Sequence, residues 1–273
     1  MFPGANVPRE DASYAVVGAP LDVSTTFQPG TRFGPDRVRR FARTFDDYDR
    51  RTDCRFSKLG VHDAGDIRAW DDAGEYLEFL EGELRDFHAG GAIPLLLGGE
   101  HTVSVAGVRA ADPDVFVTID AHLDLREAYD GNPLSHATTT RHALEVVDEA
   151  IVLGARTGSR AEWDRADRPD VTVVPPEAVS EWVPDLAGDI YLSVDIDGAD
   201  PSVAPGTGTM EPFGLSAREI RDVVRAVAPD CVGFDAVEVN DRDDGQAAAL
   251  AGKLLREFVY ANATGADIPE ESA

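Results

Sequence analysis

A three-layer α/β/α fold with a mostly parallel central sheet is what this 273-residue sequence predicts, and three observations predict it. Apolar, β-branched runs alternate along the chain with segments of helical periodicity, the pattern of a parallel sheet covered on both faces. Several of those runs end in Asp, His or Glu, and in open α/β sheets the carboxyl ends of the strands are where ligands bind. No internal repeat, linker or low-complexity stretch divides the chain, so residues 1–273 read as one domain with loose ends over about 1–12 and 264–273.

Tyr14–Gly18 (YAVVG) reads as the first strand. The glycine- and proline-punctuated loop APLDVSTTFQPGTRFGP then delivers a helix over 35–45, with Pro35 near its start, where a missing N–H costs least. Val61–Asp66 reads as a short strand. Leu77, Leu80, Leu84 and Phe87 recur at helical spacing within Glu75–His88. Ile93–Leu97 is a purely apolar run that breaks at Gly98-Gly99 before Glu100-His101, and a helix is expected over 103–110. Val115–Ile119 reads as a core strand running into Asp120, His122 and Asp124. A helix over 135–147, short strands over 151–153 and 171–174, and a stronger strand Ile190–Val194 ending in Asp195 and Asp197 follow. Ser216 opens a helix to Ala228, with Glu219 three residues later as a capping box. Cys231–Val239 is the last strand, carrying Glu238, and residues 247–261 the last helix.

Fifty-one acidic against 25 basic residues give a net charge of −26, which repels nucleic acid and anionic membrane, so neither is an expected partner. Lys58 and Lys253 are the only lysines. Surface acid with almost no lysine reads as halophilic adaptation, because molar salt shortens the screening length to about 3 Å and mutes self-repulsion. Most carboxylates are therefore solvated surface, and only acids at the ends of apolar strands are candidates for chemistry. Two scattered cysteines, no apolar leader and no long apolar run point to a cytoplasmic protein.

In an extended segment residues two apart face the same way, so Asp120, His122 and Asp124 are expected to converge. Buried acids and imidazoles must be paired or bound to a cation, which makes metal the leading reading. With His101, Asp195 and Asp197 the set holds four aspartates and two histidines, too many for one tetrahedral zinc and suited to two metals sharing carboxylates. Such ligation favours manganese; zinc, cobalt and iron accept the same ligand types. Calcium-loop, P-loop and dinucleotide-binding patterns fail at required positions.

GGEH at 98–101, DAHLD at 120–124, SVDIDGADPSVAPGTGT at 193–209 and AVEVN at 236–240 resemble, in order, the four signature blocks of the ureohydrolases, the arginase/agmatinase family. The opening YAVVGAPLDVSTTFQPGTRFGP is similar too, so the likeness runs over about 14–260. The resemblance implies an arginase-like fold and two manganese ions per subunit. His101 and Asp124 would hold one ion, His122 and Asp197 the other, and Asp120 and Asp195 would bridge them. It further implies attack by a metal-bridging hydroxide on a guanidinium carbon, giving urea and an amine. Glu238 would bind the guanidinium through charge-assisted hydrogen bonds, and His136, in NPLSHATTT, would relay protons to the departing amine.

The likeness is greatest to archaeal, halophile-type agmatinases, which implies agmatine, a small cationic guanidino compound, as substrate and putrescine as product. Glu127 and Asp130 would then receive its distal ammonium, whereas Arg126 would instead suit a carboxylate-bearing substrate. An arginase, a guanidinobutyrase, an aminopropylagmatine ureohydrolase and a formiminoglutamase are the alternatives, with a non-catalytic metal-stabilised subunit more remote. Ala137, Met210 and Phe213 depart from common family residues, and Phe213 is expected to narrow the pocket mouth. The family also implies a homo-oligomer, a trimer or hexamer.

Overall fold

The computed structural model describes residues 1–265. Its elements run β1 (Tyr14–Ala19), α1 (Gly34–Ala42), β2 (Tyr48–Asp49), β3 (Cys54–Arg55), β4 (Val61–Asp66), α2 (Ala73–Ala89), β5 (Ile93–Gly98), α3 (Ser104–Ala111) and β6 (Val115–Ile119). They continue with α4 (Thr139–Ala143), β7 (Glu149–Leu153), α5 (Arg160–Ala166), β8 (Val171–Val174), α6 (Pro176–Val179), β9 (Ile190–Asp195), α7 (Ala217–Val227), β10 (Cys231–Val237) and α8 (Gln246–Thr264).

Eight strands form one sheet in the order β4-β1-β5-β10-β9-β6-β7-β8, and every pairing in it is parallel. Helices cover both faces, as apolar strands buried throughout require. On one side α1, α7 and α8 pack through Val38, Ile220, Val224, Leu254 and Phe258; on the other α2 and α3 pack through Leu77, Leu80, Leu84 and Ala106. The three-layer expectation holds, and the reason is visible in α7. Its hydrophobic face is Ile220, Val223, Val224 and Val227, and its first turn is closed by the Ser216–Glu219 capping box.

The topology explains how clusters far apart in sequence meet. β5, β10, β9 and β6 are consecutive in the sheet, and Leu97, Ala236, Val194 and Ile119 lie in register across it. Whatever follows those four strands is delivered to one patch of the sheet's carboxyl edge.

Several boundaries differ from expectation. The segment beyond Ile119 is not extended: β6 stops there, and Asp124 adopts left-handed backbone at φ 50°. The helix expected over 135–147 is a 3₁₀ turn at His136–Thr138 followed by the short α4, because Thr138, at the junction, leaves helical geometry. The helix expected to reach residue 45 ends at Ala42, and β10 ends before Glu238. The small β2–β3 hairpin and helices α5 and α6 were not anticipated. For α5 a signal existed, since Ser159 and Glu162 form a capping box.

The N-terminus, expected loose, is anchored: Phe2 is buried against Phe56 and its N–H donates to Asp63. Of the loose tail expected over 264–273, residues 266–273 lie outside the described residues. No helix among the described residues is long and apolar enough to cross a membrane.

Candidate active site

At the end of β5 the chain crosses closely over the end of β1. A Cβ on Gly99 would lie 1.9 Å from the Leu21 carbonyl oxygen, so only glycine fits. The Gly99 and Glu100 N–H groups donate to Ala19 and Leu21 (2.7 and 2.8 Å), and this crossing delivers His101, which is buried. Asp120 follows β6 and is fully buried; its Oδ1 accepts from the His122 N–H at 2.6 Å, folding the loop back on itself. Asp195 closes β9 and accepts from the Asp197 N–H at 2.9 Å, starting the 3₁₀ turn Ile196–Gly198. Glu238 leaves β10 in left-handed backbone, φ 60°, with its N–H donating to Gly99 and its Oε1 accepting from the His101 N–H, both at 2.8 Å.

All six side chains expected to hold metal come together. His101 Nδ1 lies 2.9 Å from Asp124 Oδ2, 3.2 Å from Asp120 Oδ2 and 3.4 Å from Asp195 Oδ2. His122 Nδ1 lies 3.0 Å from Asp197 Oδ2 and 3.4 Å from Asp120 Oδ1. Two groups with metal-ligand spacing result, His101/Asp120/Asp124 and Asp120/His122/Asp197, and they share Asp120. Short as these approaches are, His101 Nδ1 and Asp120 Oδ2 are buried without a properly directed hydrogen bond. Orphaned lone pairs facing one another from carboxylates and imidazoles are what a divalent cation would satisfy, so the donor set fits the metal pair implied by the sequence.

The electrostatics point the same way. Burial, then the neighbouring Asp120, pushes the Asp124 carboxyl up to about 7; burial, then Asp197 and Asp120, raises Asp195 well above its ordinary value. Burial alone would lower His122, but Asp197 and Asp120 more than offset it and hold the imidazole up to about 12. Protons thus gather where positive charge is wanted.

Around these groups lies a cavity of about 170 Å³ whose walls include Thr25, Phe27, Arg126, Tyr129, His136 and Glu238. Glu127 and Asp130, expected to receive a distal ammonium, do not line it. Glu127 is 87% exposed, 3.5 Å from Arg141, and faces a separate outer groove. Asp130 is turned out by the reciprocal Tyr129–Asn132 backbone bonds of a tight turn, which send the Tyr129 ring inward. Arg126 lies on the wall, but its guanidinium is held 3.2 Å from buried Glu162 and over the Tyr129 ring. Phe213, expected to narrow the mouth, is 85% exposed and stands clear of the cavity, as does Met210.

The arginase-family sequence profile matches residues 12–260. The chain belongs to the arginase family. Like other members it is a hydrolase, agmatinase-like, acting on a carbon–nitrogen bond of linear amidines. It is 34% identical to an agmatinase of Bacillus anthracis over 267 residues, 92% of each chain. It is 36% identical to the N(1)-aminopropylagmatine ureohydrolase of Thermococcus kodakarensis, covering 91% of this chain and 90% of that one. The agmatine ureohydrolase of Thermoplasma volcanium superposes with a TM-score of 0.90 at 32% identity, covering 96% of this chain and 94% of that structure.

This arginase-family site has supports that sequence reading missed. Ser193 Oγ lies 3.1 Å from His101 Nε2 and donates to Asp235 Oδ1 at 2.6 Å, so Asp235 braces a candidate ligand through Ser193. Asp63, in β4, stands apart from the site and is paired with Arg39 at 2.9 Å. Arg156 donates to six backbone carbonyls, those of Gly154, Asp197, Gly198, Ala199, Glu211 and Pro212. It takes no carboxylate partner among the described residues and clamps the segment that carries Asp197. Arg156→Met keeps the aliphatic stem but removes the fork; metal retained after dialysis is expected to weaken by about 10- to 100-fold in affinity, the usual cost of losing such a support. Unchanged retention would show that the clamp is not coupled to Asp197.

Proposed function

We propose that this chain is a dimanganese agmatinase that hydrolyses agmatine to putrescine and urea. One observation carries the reading: two metal-ligand groups sharing Asp120 lie beneath a small cavity that also contains Glu238 and His136. His101 and Asp124 would hold one ion and His122 and Asp197 the other, with Asp120 and Asp195 as the carboxylates available to both. Two divalent ions, when bound, supply Lewis acidity and a water activated near neutral pH.

The chain's own residues do the rest. Glu238 has one oxygen engaged by the His101 N–H, and the other is free to accept from a planar guanidinium. His136 stands on the cavity wall as a relay, taking up the proton that the attacking water gives up and passing it to the departing amine nitrogen. Burial, then the charges of His122 and His101, lowers its imidazole to about 4 without metal, so it sits as the neutral base. Phe27 and Tyr129 give the cavity aromatic walls.

Agmatine is favoured over a guanidino acid because Arg126, the cation on the wall, is already neutralised by Glu162. In molar salt with manganese, urea release from agmatine is expected to exceed that from arginine and 4-guanidinobutyrate by at least about 10-fold in kcat/KM, the worth of one unpaired charged group. A preference for 4-guanidinobutyrate would move Arg126 into substrate binding and overturn the choice of agmatine.

A further inference from the structure

Three loops far apart in sequence meet behind His136. Ser24, in the loop after β1, is buried; Glu100, after β5, is fully buried; His136 opens the 3₁₀ turn before α4. Ser24 Oγ lies 3.1 Å from His136 Nδ1 and also accepts from the His136 backbone N–H at 3.0 Å. On its other side it donates to Glu100 Oε1 at 2.8 Å. None of these contacts is needed to hold a metal, and the proposed mechanism does not use Ser24 or Glu100.

The direction of the chain follows from counting donors. A hydroxyl has one proton to give and two lone pairs to fill. Glu100 Oε2 accepts from the Val23 and Ser24 N–H groups at 2.8 and 2.7 Å, and Oε1 accepts from Ser24 and Thr102 hydroxyls, both at 2.8 Å. Four donors leave the carboxylate as acceptor only, although burial pushes its pKa up. The Ser24 proton is therefore committed to Glu100, and both Ser24 lone pairs are left for the two His136 nitrogens. Ser135 Oγ, the other hydroxyl near Nδ1, is farther at 3.3 Å.

We propose that Glu100 and Ser24 are positioning residues that fix His136 as its Nδ1–H tautomer, leaving Nε2 as the basic nitrogen. This rests on the assignment of His136 to proton transfer. A ring nitrogen's role is set by the bond its partner makes, and an imidazole held in the wrong tautomer is a poor catalyst even when correctly placed. Glu100 thus has a task distinct from that of its neighbour His101: it polarises Ser24 and so aims the proton-transfer group.

The test reads the tautomer directly. Magic-angle-spinning NMR of histidine-labelled protein, loaded with diamagnetic zinc in place of manganese and assigned by comparison with His136→Ala, is expected to show Nδ1–H. Glu100→Gln should reverse it. The Val23 and Ser24 N–H groups hold the amide oxygen, the amide nitrogen faces Ser24, and the Ser24 proton turns to Nδ1. Ser135→Ala should leave it unchanged.

In turnover, Ser24→Ala is expected to lower kcat by about 10- to 100-fold, part of the usual worth of general acid–base catalysis, with KM within about twofold and full metal content. Ser24→Thr should restore it, and Ser24→Ala should cost nothing further in the His136→Ala background. An Nε2–H tautomer in the unmodified protein, a reversal on Ser135→Ala instead of Glu100→Gln, or equal losses in both backgrounds would each overturn the proposal. Because the tautomer is read without substrate, failure to turn over any guanidino compound would count against the functional reading alone.

Discussion

Asp120→Asn is expected to lower urea release by at least about 10³-fold, because the chemistry a metal pair supplies is worth several kcal/mol of barrier. It should also reduce bound manganese below two ions per chain. Asp120 is the one residue common to both candidate metal groups. Its Oδ2 faces His101 and its Oδ1 faces His122, and it is fully buried. Asparagine preserves shape and can still accept the His122 N–H, so folding should survive. What it removes is half of the shared charge, and it places an amide N–H where a lone pair faced the cation. Manganese should raise the thermal midpoint of the parent protein, since a ligand that binds only the folded state stabilises it, and should do so far less in the variant. Elemental analysis and urea release on the same samples check both halves. Full activity with full metal would remove Asp120 from the centre.

The candidate ligands are legible in the sequence because burial leaves few other uses for them. An aspartate or histidine closing a run such as Val115–Ile119 or Ile190–Val194 is either paired or bound to a cation, and the structure brings all six to one edge. That they meet follows from strand order, which the sequence does not display: β10 inserts between β5 and β9, although it comes last in the chain. The strand-like alternation used to align Asp120, His122 and Asp124 predicts their convergence from a geometry that does not occur. Their convergence comes from a turn closed by the His122 N–H and from left-handed backbone at Asp124.

Loop side chains are where sequence reasoning stops. Nothing in LREAYDGNPLS shows that Tyr129 turns inward while Glu127 and Asp130 face out, because loops have no period and their direction is set by turns such as Tyr129–Asn132. Arg156 is invisible for a different reason. Its partners are all carbonyls, and a backbone acceptor leaves no mark on residue type. Ser24 and Glu100 sit inside segments that resemble the family, yet each looks like an ordinary loop polar residue until the distances to His136 are known.

Glu238→Gln separates substrate recognition from metal binding. Glu238 is 6% exposed, and burial, then the neighbouring carboxylates, raises its pKa well above the ordinary value, a cost that a bound cation would relieve. Left-handed backbone and the bond from its N–H to Gly99 hold the side chain in place, so glutamine should occupy the same space. The glutamine oxygen must stay with the His101 N–H, which turns the amide nitrogen toward the cavity. A guanidinium offers only donors, so donor then meets donor where a charge-assisted bond stood. Losing such a bond and leaving an unpaired group is worth roughly 2–4 kcal/mol, or about 30- to 1000-fold in kcat/KM. Metal content should remain that of the parent, in contrast to Asp120→Asn. A loss carried by KM places Glu238 on the ground-state guanidinium, whereas a loss carried by kcat places its bond in the transition state. A change of less than about twofold in kcat/KM would mean that the guanidinium is held by the metal pair and cavity walls without it, since even a weak neutral hydrogen bond is worth about that much.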